Sequence, residues 1–149
     1  MVTESARMSS AAEARFRIDR PNSRSRAIAV IAIDQPSERV VMELGAGVWN
    51  RAAFLALRAL SPAQLDDQIA GADLVVIVAT AGENARGAAV IGEVCSARRV
   101  YTTGLILGGN EHSDEALSKA LMALRPWMLM LVVASSPEYV EDMLRALRA

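Results

Sequence analysis

Residues 73–80 read Asp73-Leu74-Val75-Val76-Ile77-Val78-Ala79-Thr80. The run is apolar without a break, rich in β-branched side chains, and bracketed by Gly71 and Gly82. A strand with one wet face alternates apolar and polar residues. This one does not, which predicts a strand buried on both faces, as in a parallel sheet covered by helices on each side. Ala27–Ile33 (AIAVIAI), Val100–Leu107 (VYTTGLIL) and Trp127–Ala134 read in the same way.

Between and after these strands lie helical patterns with their own start signals. A helix is predicted from about Arg86 to Arg98. Ser113 caps the next one, with Asp114 and Glu115 in its first turn, where the helix dipole favours acids. Ser136-Pro137-Glu138 opens the last, and Ser61-Pro62-Ala63-Gln64 carries the signature of a capping box with proline at the first position. From residue 72 onward strand and helix alternate through short linkers, which suits crossover connections between parallel strands rather than hairpins. The expected fold is α/β: a three-layer Rossmann-like sandwich with a mainly parallel sheet of four to five strands, formed by residues 25–149 as a single domain. Two segments are less regular. Val40–Leu44 reads as a second strand, because Val40 and Val41 are β-branched, or as a short helix started by Ser37 and stopped by Gly45. Trp49, Ala53, Leu57 and Leu60 recur at helical spacing and predict a helix after Gly45-Ala46-Gly47.

The chain has 149 residues and a net charge of −1, which gives no electrostatic reason to expect nucleic acid or an anionic membrane as a partner. The charge is uneven: residues 1–26 carry six Arg against three acids, while residues 27–149 carry ten basic and fourteen acidic groups. Residues 1–24 are read as a flexible basic arm. No apolar run approaches the roughly 20 residues of a membrane span, and a cytoplasmic location is expected. The single cysteine, Cys95, excludes an intrachain disulfide or a cysteine-built zinc site, and reads as a small buried hydrophobe. The seven methionines read as core filler. No metal site is expected, and homo-oligomerisation fits the Ala- and Leu-rich composition.

Open parallel sheets bind ligands beyond the carboxyl ends of their strands. On this reading the loops Gly45–Asn50, Thr80–Gly87, Gly108–His112 and Ser135–Ser136 share that rim. The ligand-binding candidates are Gly45, Gly47, Thr80, Gly82, Asn84, Arg86, Gly87, Gly108 and Gly109. Glycines let a backbone approach a phosphate closely, Arg86 offers a bidentate grip on an anion, and Asn84 suits either a ligand contact or a helix cap. His112, the only histidine, is the candidate catalytic residue, with Glu111 or Glu83 as its acid–base companion. Asp34, at the end of the first strand, is read as a solvated carboxylate or as a ribose or metal contact.

The stretch Ala72-Asp73 through Thr80-Ala81-Gly82 to Gly87-Ala88-Ala89 resembles the central segment of the FtsZ/tubulin GTPase family. There a strand beginning Ala-Asp ends in Thr-Ala-Gly, a glycine-rich phosphate loop follows, and a helix opens with Gly-Ala-Ala. The specific part of the resemblance is residues 72–93, with the strand order similar to about residue 135. It implies a nucleotide-binding fold whose phosphate loop falls at Glu83-Asn84-Ala85-Arg86, which here replaces the family's glycine run. The expected function is a small domain that binds a nucleotide or another anionic small molecule, with weak or no catalysis. The alternative is a non-catalytic interaction or oligomerising module on an ancestral nucleotide-binding fold.

Overall fold

The computed structural model describes residues 26–108 and 112–149. The basic arm, residues 1–24, and the candidate Gly109 lie outside the described residues. The chain runs β1 (Ile28–Ala32), α1 (Gln35–Gly45), β2 (Ala52–Ala56), a 3₁₀ turn (Leu57–Ala59), α2 (Pro62–Ala70), β3 (Leu74–Thr80), α3 (Gly87–Arg98), β4 (Tyr101–Leu107), α4 (Asp114–Leu124), a second 3₁₀ turn (Arg125–Trp127), β5 (Met130–Val133) and α5 (Pro137–Ala146). The strands form one sheet in the order β2-β1-β3-β4-β5, and every pairing is parallel. Leu74 through Ala79 are buried on both faces, as the unbroken apolar run requires.

Helices cover the sheet on both sides. Val41 of α1 and Val140 and Leu144 of α5 pack on Val30, Val76, Val78 and Leu105. On the other side Leu65 and Ile69 of α2 and Ile91 and Cys95 of α3 pack on Ile31, Val75 and Ile77, while Ala120 and Leu124 of α4 meet Ile106. The architecture is therefore the three-layer α/β sandwich. No helix among the described residues is long and apolar enough to cross a membrane. Asp66 of α2 and Arg98 of α3 tie those helices together (Arg98 Nε to Oδ1, 2.8 Å), and this hydrogen bond holds the Asp66 carboxyl below its usual value.

Two expectations are corrected. Val40–Leu44 is helical, within α1. Asp34 is the N-cap: its carboxylate accepts from Ser37 N at 2.8 Å, Ser37 Oγ accepts from Asp34 N at 3.4 Å, and Pro36 sits in the first turn. This reciprocal cap outweighs the β preference of two valines, and Val40, Val41 and Leu44 then face the sheet at helical spacing. The segment expected as a helix from Trp49 is instead β2 and a 3₁₀ turn. Ala52–Ala56 pairs residue for residue with Ile28–Ala32, so tertiary pairing overrides the side-chain spacing. Trp49 packs against Phe54 with ring centroids 5.1 Å apart and the rings tilted by 50°, under the Arg145 guanidinium at 4.2 Å.

Because α1 runs back along the sheet, residues 46–51 lie at the amino ends of the strands. Arg51 O accepts from Ile28 N at 3.1 Å, and Asn50 N donates to Ala149 O at 3.4 Å. Gly45 and Gly47 therefore leave the carboxyl rim.

Arg99 ends α3 in the left-handed conformation (φ +57°), with its N–H on Ser96 O and Val100 N–H on Cys95 O. Glycine is the residue this position favours. Arg99→Gly is expected to stabilise the fold by about 0.5–1 kcal/mol, measured as a higher urea midpoint with an unchanged slope.

Candidate functional site

In the strand order 2-1-3-4-5 the chain leaves β1 toward one edge of the sheet and β3 toward the other. The crevice at the carboxyl ends of β1 and β3 is then the switch point where this fold class places ligands. Here that crevice is filled by the chain itself. Asp34, which follows β1, turns its carboxylate across to β3: Oδ2 accepts from Thr80 N at 2.7 Å and Oδ1 from Thr80 Oγ1 at 2.9 Å. Oδ1 also takes Ser37 N at 2.8 Å. Ser37 Oγ donates to Val78 O at 3.0 Å, stitching α1 to β3 a second time. Asp34 is only 9% exposed, so it is neither a solvated carboxylate nor free for a ribose or a metal. Among the described residues no buried side-chain nitrogen or oxygen lacks a partner, and no three His, Cys, Asp or Glu side chains cluster as metal ligands.

Beside this clamp Glu38 is buried against an exposed Arg58, whose Nε lies 2.8 Å from both carboxylate oxygens. The pair fastens α1 to the exit of β2.

The loop after β3 begins as a tight turn. Glu83 N donates to Thr80 O at 3.1 Å, and Gly82 holds φ at +87° in the third position, where a left-handed residue is needed. Gly108, which ends β4, also has positive φ (+75°). The exposed His112 ring lies over both glycines: a Cβ at either would come within 3.1 Å of it. Gly82 and Gly108 thus leave room for the His112 ring. Gly87 is a packing residue, since a Cβ there would lie 2.6 Å from Leu57 Cδ2 and 3.1 Å from Ile33 Cβ. Asn84 Oδ1 accepts from Arg86 N at 2.9 Å and shapes the turn into α3.

Two clefts flank the rim. One, of about 340 Å³, lies between Glu83–Arg86 with the start of α3 on one side and Lys119, Ala120 and Ala123 of α4 on the other. The second, of about 210 Å³, opens on the α1 and α5 side and is lined by Pro36, Val40, Thr80, Ser135 and Ser136 among others, with no charged side chain. Of the sequence candidates, Asn84 and Arg86 share the first cleft. Thr80 and Gly108 line the second cleft, Thr80 with its N–H and hydroxyl committed to Asp34, and Gly82 and His112 lie beside them. The sequence reading missed Lys119, because helical phase alone does not say which neighbour a lysine faces. It also missed the closure by Asp34, for which the Asp-x-x-Ser capping pattern was the available signal.

Cys95 is 1% exposed, and burial pushes its thiol up to about 11. It packs as a hydrophobe.

No protein-family model matches the chain, and no curated protein matches it at a significant level. Among solved structures, it is similar to translation elongation factor SelB from Methanococcus maripaludis, a structure in complex with the GTP analogue GPPNHP. The TM-score is 0.57 at 7% identity, covering 86% of this chain and 34% of that one. The chain therefore spans about a third of that protein, and the likeness is one of fold. Weaker likenesses are to a putative pilus assembly-related protein from Burkholderia pseudomallei (TM-score 0.46, 16% identity, 87% and 95% covered) and a putative pilus assembly protein from Burkholderia thailandensis (0.43, 16%, 80% and 96%). SelB is neither an FtsZ nor a tubulin, and what it shares with this chain is the α/β fold.

Asp34→Ala removes a cap and strips Thr80 N–H of its acceptor. A loss of about 2–4 kcal/mol is expected, read from urea denaturation, with Asp34→Asn losing less. Cys95 is expected to resist a disulfide reagent at pH 8 in the native protein and to react fully in denaturant. Below the folded value of about 11 the buried group stays a thiol.

Proposed function

We propose that this domain is a non-catalytic binding module for a small anionic molecule, a nucleotide or another phosphorylated compound, held in the cleft of Arg86 and Lys119. The observation that carries this reading is the distribution of charge along the rim. At the switch point a fully hydrogen-bonded carboxylate, Asp34, stands where a phosphate would sit and repels it. A cleft of about 340 Å³ away from that point brings together Arg86 and Lys119, beside the first turn of α3. Its size falls within the range of small-molecule sites. The resemblance to the FtsZ/tubulin segment supports the same location, since its phosphate loop corresponds to Glu83–Arg86.

Glu83 opposes binding from within the same cleft, so affinity for a bare anion is modest. Catalysis is not part of this reading. His112 lies over Gly82 and Gly108, and the buried carboxylate of the rim, Asp34, is engaged by three donors from Ser37 and Thr80.

A second reading, an interaction or oligomerising module, is favoured by the row of exposed apolar side chains along β5.

Isothermal titration with pyrophosphate and with nucleoside triphosphates tests the first reading. Binding is expected, with Arg86→Ala weakening it roughly tenfold, the scale of one charge-assisted contact, and Glu83→Gln tightening it. No phosphate release is expected. Absence of binding, or binding indifferent to Arg86→Ala, overturns this reading.

A further inference from the structure

Residues 14–20 read Ala14-Arg15-Phe16-Arg17-Ile18-Asp19-Arg20, followed by Pro21-Asn22-Ser23. Apolar and charged side chains alternate at every position, the period of a strand with one wet face, and a proline-led turn signal ends the run. The described chain begins at Arg26, two residues before β1 at the amino rim of the sheet, where Arg26 N donates to Arg148 O at 3.1 Å.

Next to β1 stands β2, an edge strand that among the described residues pairs only with β1. Arg51 O accepts from Ile28 N, so Arg51, Ala53 and Leu55 turn their backbone groups to β1, while Ala52, Phe54 and Ala56 turn theirs outward. Ala52–Ala56 has no proline and no charge to blunt this edge, and it is of ordinary strand length.

The two faces beside that edge differ in chemistry. On the α1 side, Ala52 and Phe54 pack with the core around Val41. Gly45 and Glu38 mark the flank of α1 that lies over β2: a Cβ on Gly45 would come 2.9 Å from Phe54 Cβ, and Glu38 holds Arg58. Met42 falls within about 60° of both around the helix axis, and it stands 47% exposed. On the α2 side, Ala53 shares the lining of a cleft of about 260 Å³ with Asp67 and Gln68.

We infer that residues 14–20 of this chain add to the outer edge of β2 as an antiparallel strand. The direction follows from chain length. A strand outside β2 lies two strand spacings from β1, about 10 Å, which the roughly 17 Å reach of residues 21–25 spans if that strand ends at the amino rim. A parallel strand would end at the carboxyl rim, about 20 Å from Arg26 once the length of β2 is added. The register follows from the faces. Phe16 opposite Phe54 sets Ala14, Phe16 and Ile18 on the α1 side by Met42, and Arg15 and Arg17 on the α2 side, Arg17 by Ala53 and Asp67. A slip of one residue would set the arginines against Met42 and Phe16 against Asp67. This pairing stands independently of the anion cleft.

Amide hydrogen exchange of the full chain, followed residue by residue, tests it. The Ala52, Phe54 and Ala56 amides are expected to be protected to the same degree at every protein concentration. Phe16→Pro removes the apolar anchor and an N–H aimed at β2, and should speed exchange at these three roughly tenfold or more. Ala53 and Leu55, bonded to β1, should keep their rates and show that the sheet is intact. Arg17→Glu, which sets a carboxylate against Asp67, should also speed the three, and decides the matter alone if Phe16→Pro unfolds the sheet. Unprotected rates in the parent chain, or protection indifferent to these substitutions, overturn the inference. So does protection lost on dilution, which would make a second copy the occupant.

Discussion

The carboxylate of Asp34 reaches across the two central strands, and the carboxyl rim of the sheet is organised around it. Three donors, the Ser37 amide and the amide and hydroxyl of Thr80, converge on its two oxygens. Asp34 therefore starts α1, joins β1 to β3 where their paths diverge, and fills the crevice that opens at that divergence. Because the group is buried and charged, its partners are obligatory: without them its burial would cost several kcal/mol.

The consequence for function is electrostatic. A parallel α/β sheet offers ligands a crevice at its switch point and the positive end of the helix that follows. Here that helix end already has its anion, supplied by the chain. Two cationic side chains, Arg86 and Lys119, line the cleft on the α3–α4 side instead, with Glu83 in the same lining and Lys119 paired to Glu115 at 3.5 Å. On the α1–α5 side the cleft has no charged lining. Two openings on one rim thus differ in the chemistry of their linings, and the edge strand β5 adds a third surface with Met130 and Val133 exposed.

The unbroken apolar runs at Leu74–Thr80 and Tyr101–Leu107 made the parallel sheet legible, since only strands covered on both faces tolerate them. The caps at Ser61, Ser113 and Ser136 were legible because hydroxyl-to-amide bonds are local. Residues 40–56 were not. Val40 and Val41 look like strand residues, yet the reciprocal Asp34–Ser37 cap makes them helical. Ala52–Ala56 has weak strand preference of its own and becomes β2 by pairing with β1. That exchange moved Gly45 and Gly47 to the far edge of the sheet. The glycines of the rim also have packing neighbours that the sequence did not show: Gly82 and Gly108 give way to His112, and Gly87 to Leu57 and Ile33. Contacts between residues distant in sequence decide such roles, and local pattern does not record them.

The central claim, that Asp34 closes the switch point and leaves the α3–α4 cleft as the anion site, is tested most directly by following backbone amide resonances during a pyrophosphate titration. The account predicts shifts confined to Asn84–Ala88 and the adjacent face of α4, with the Thr80 and Ser37 amides unmoved. Shifts centred on Ile33–Ser37, with the Thr80 amide released from its carboxylate, would contradict it.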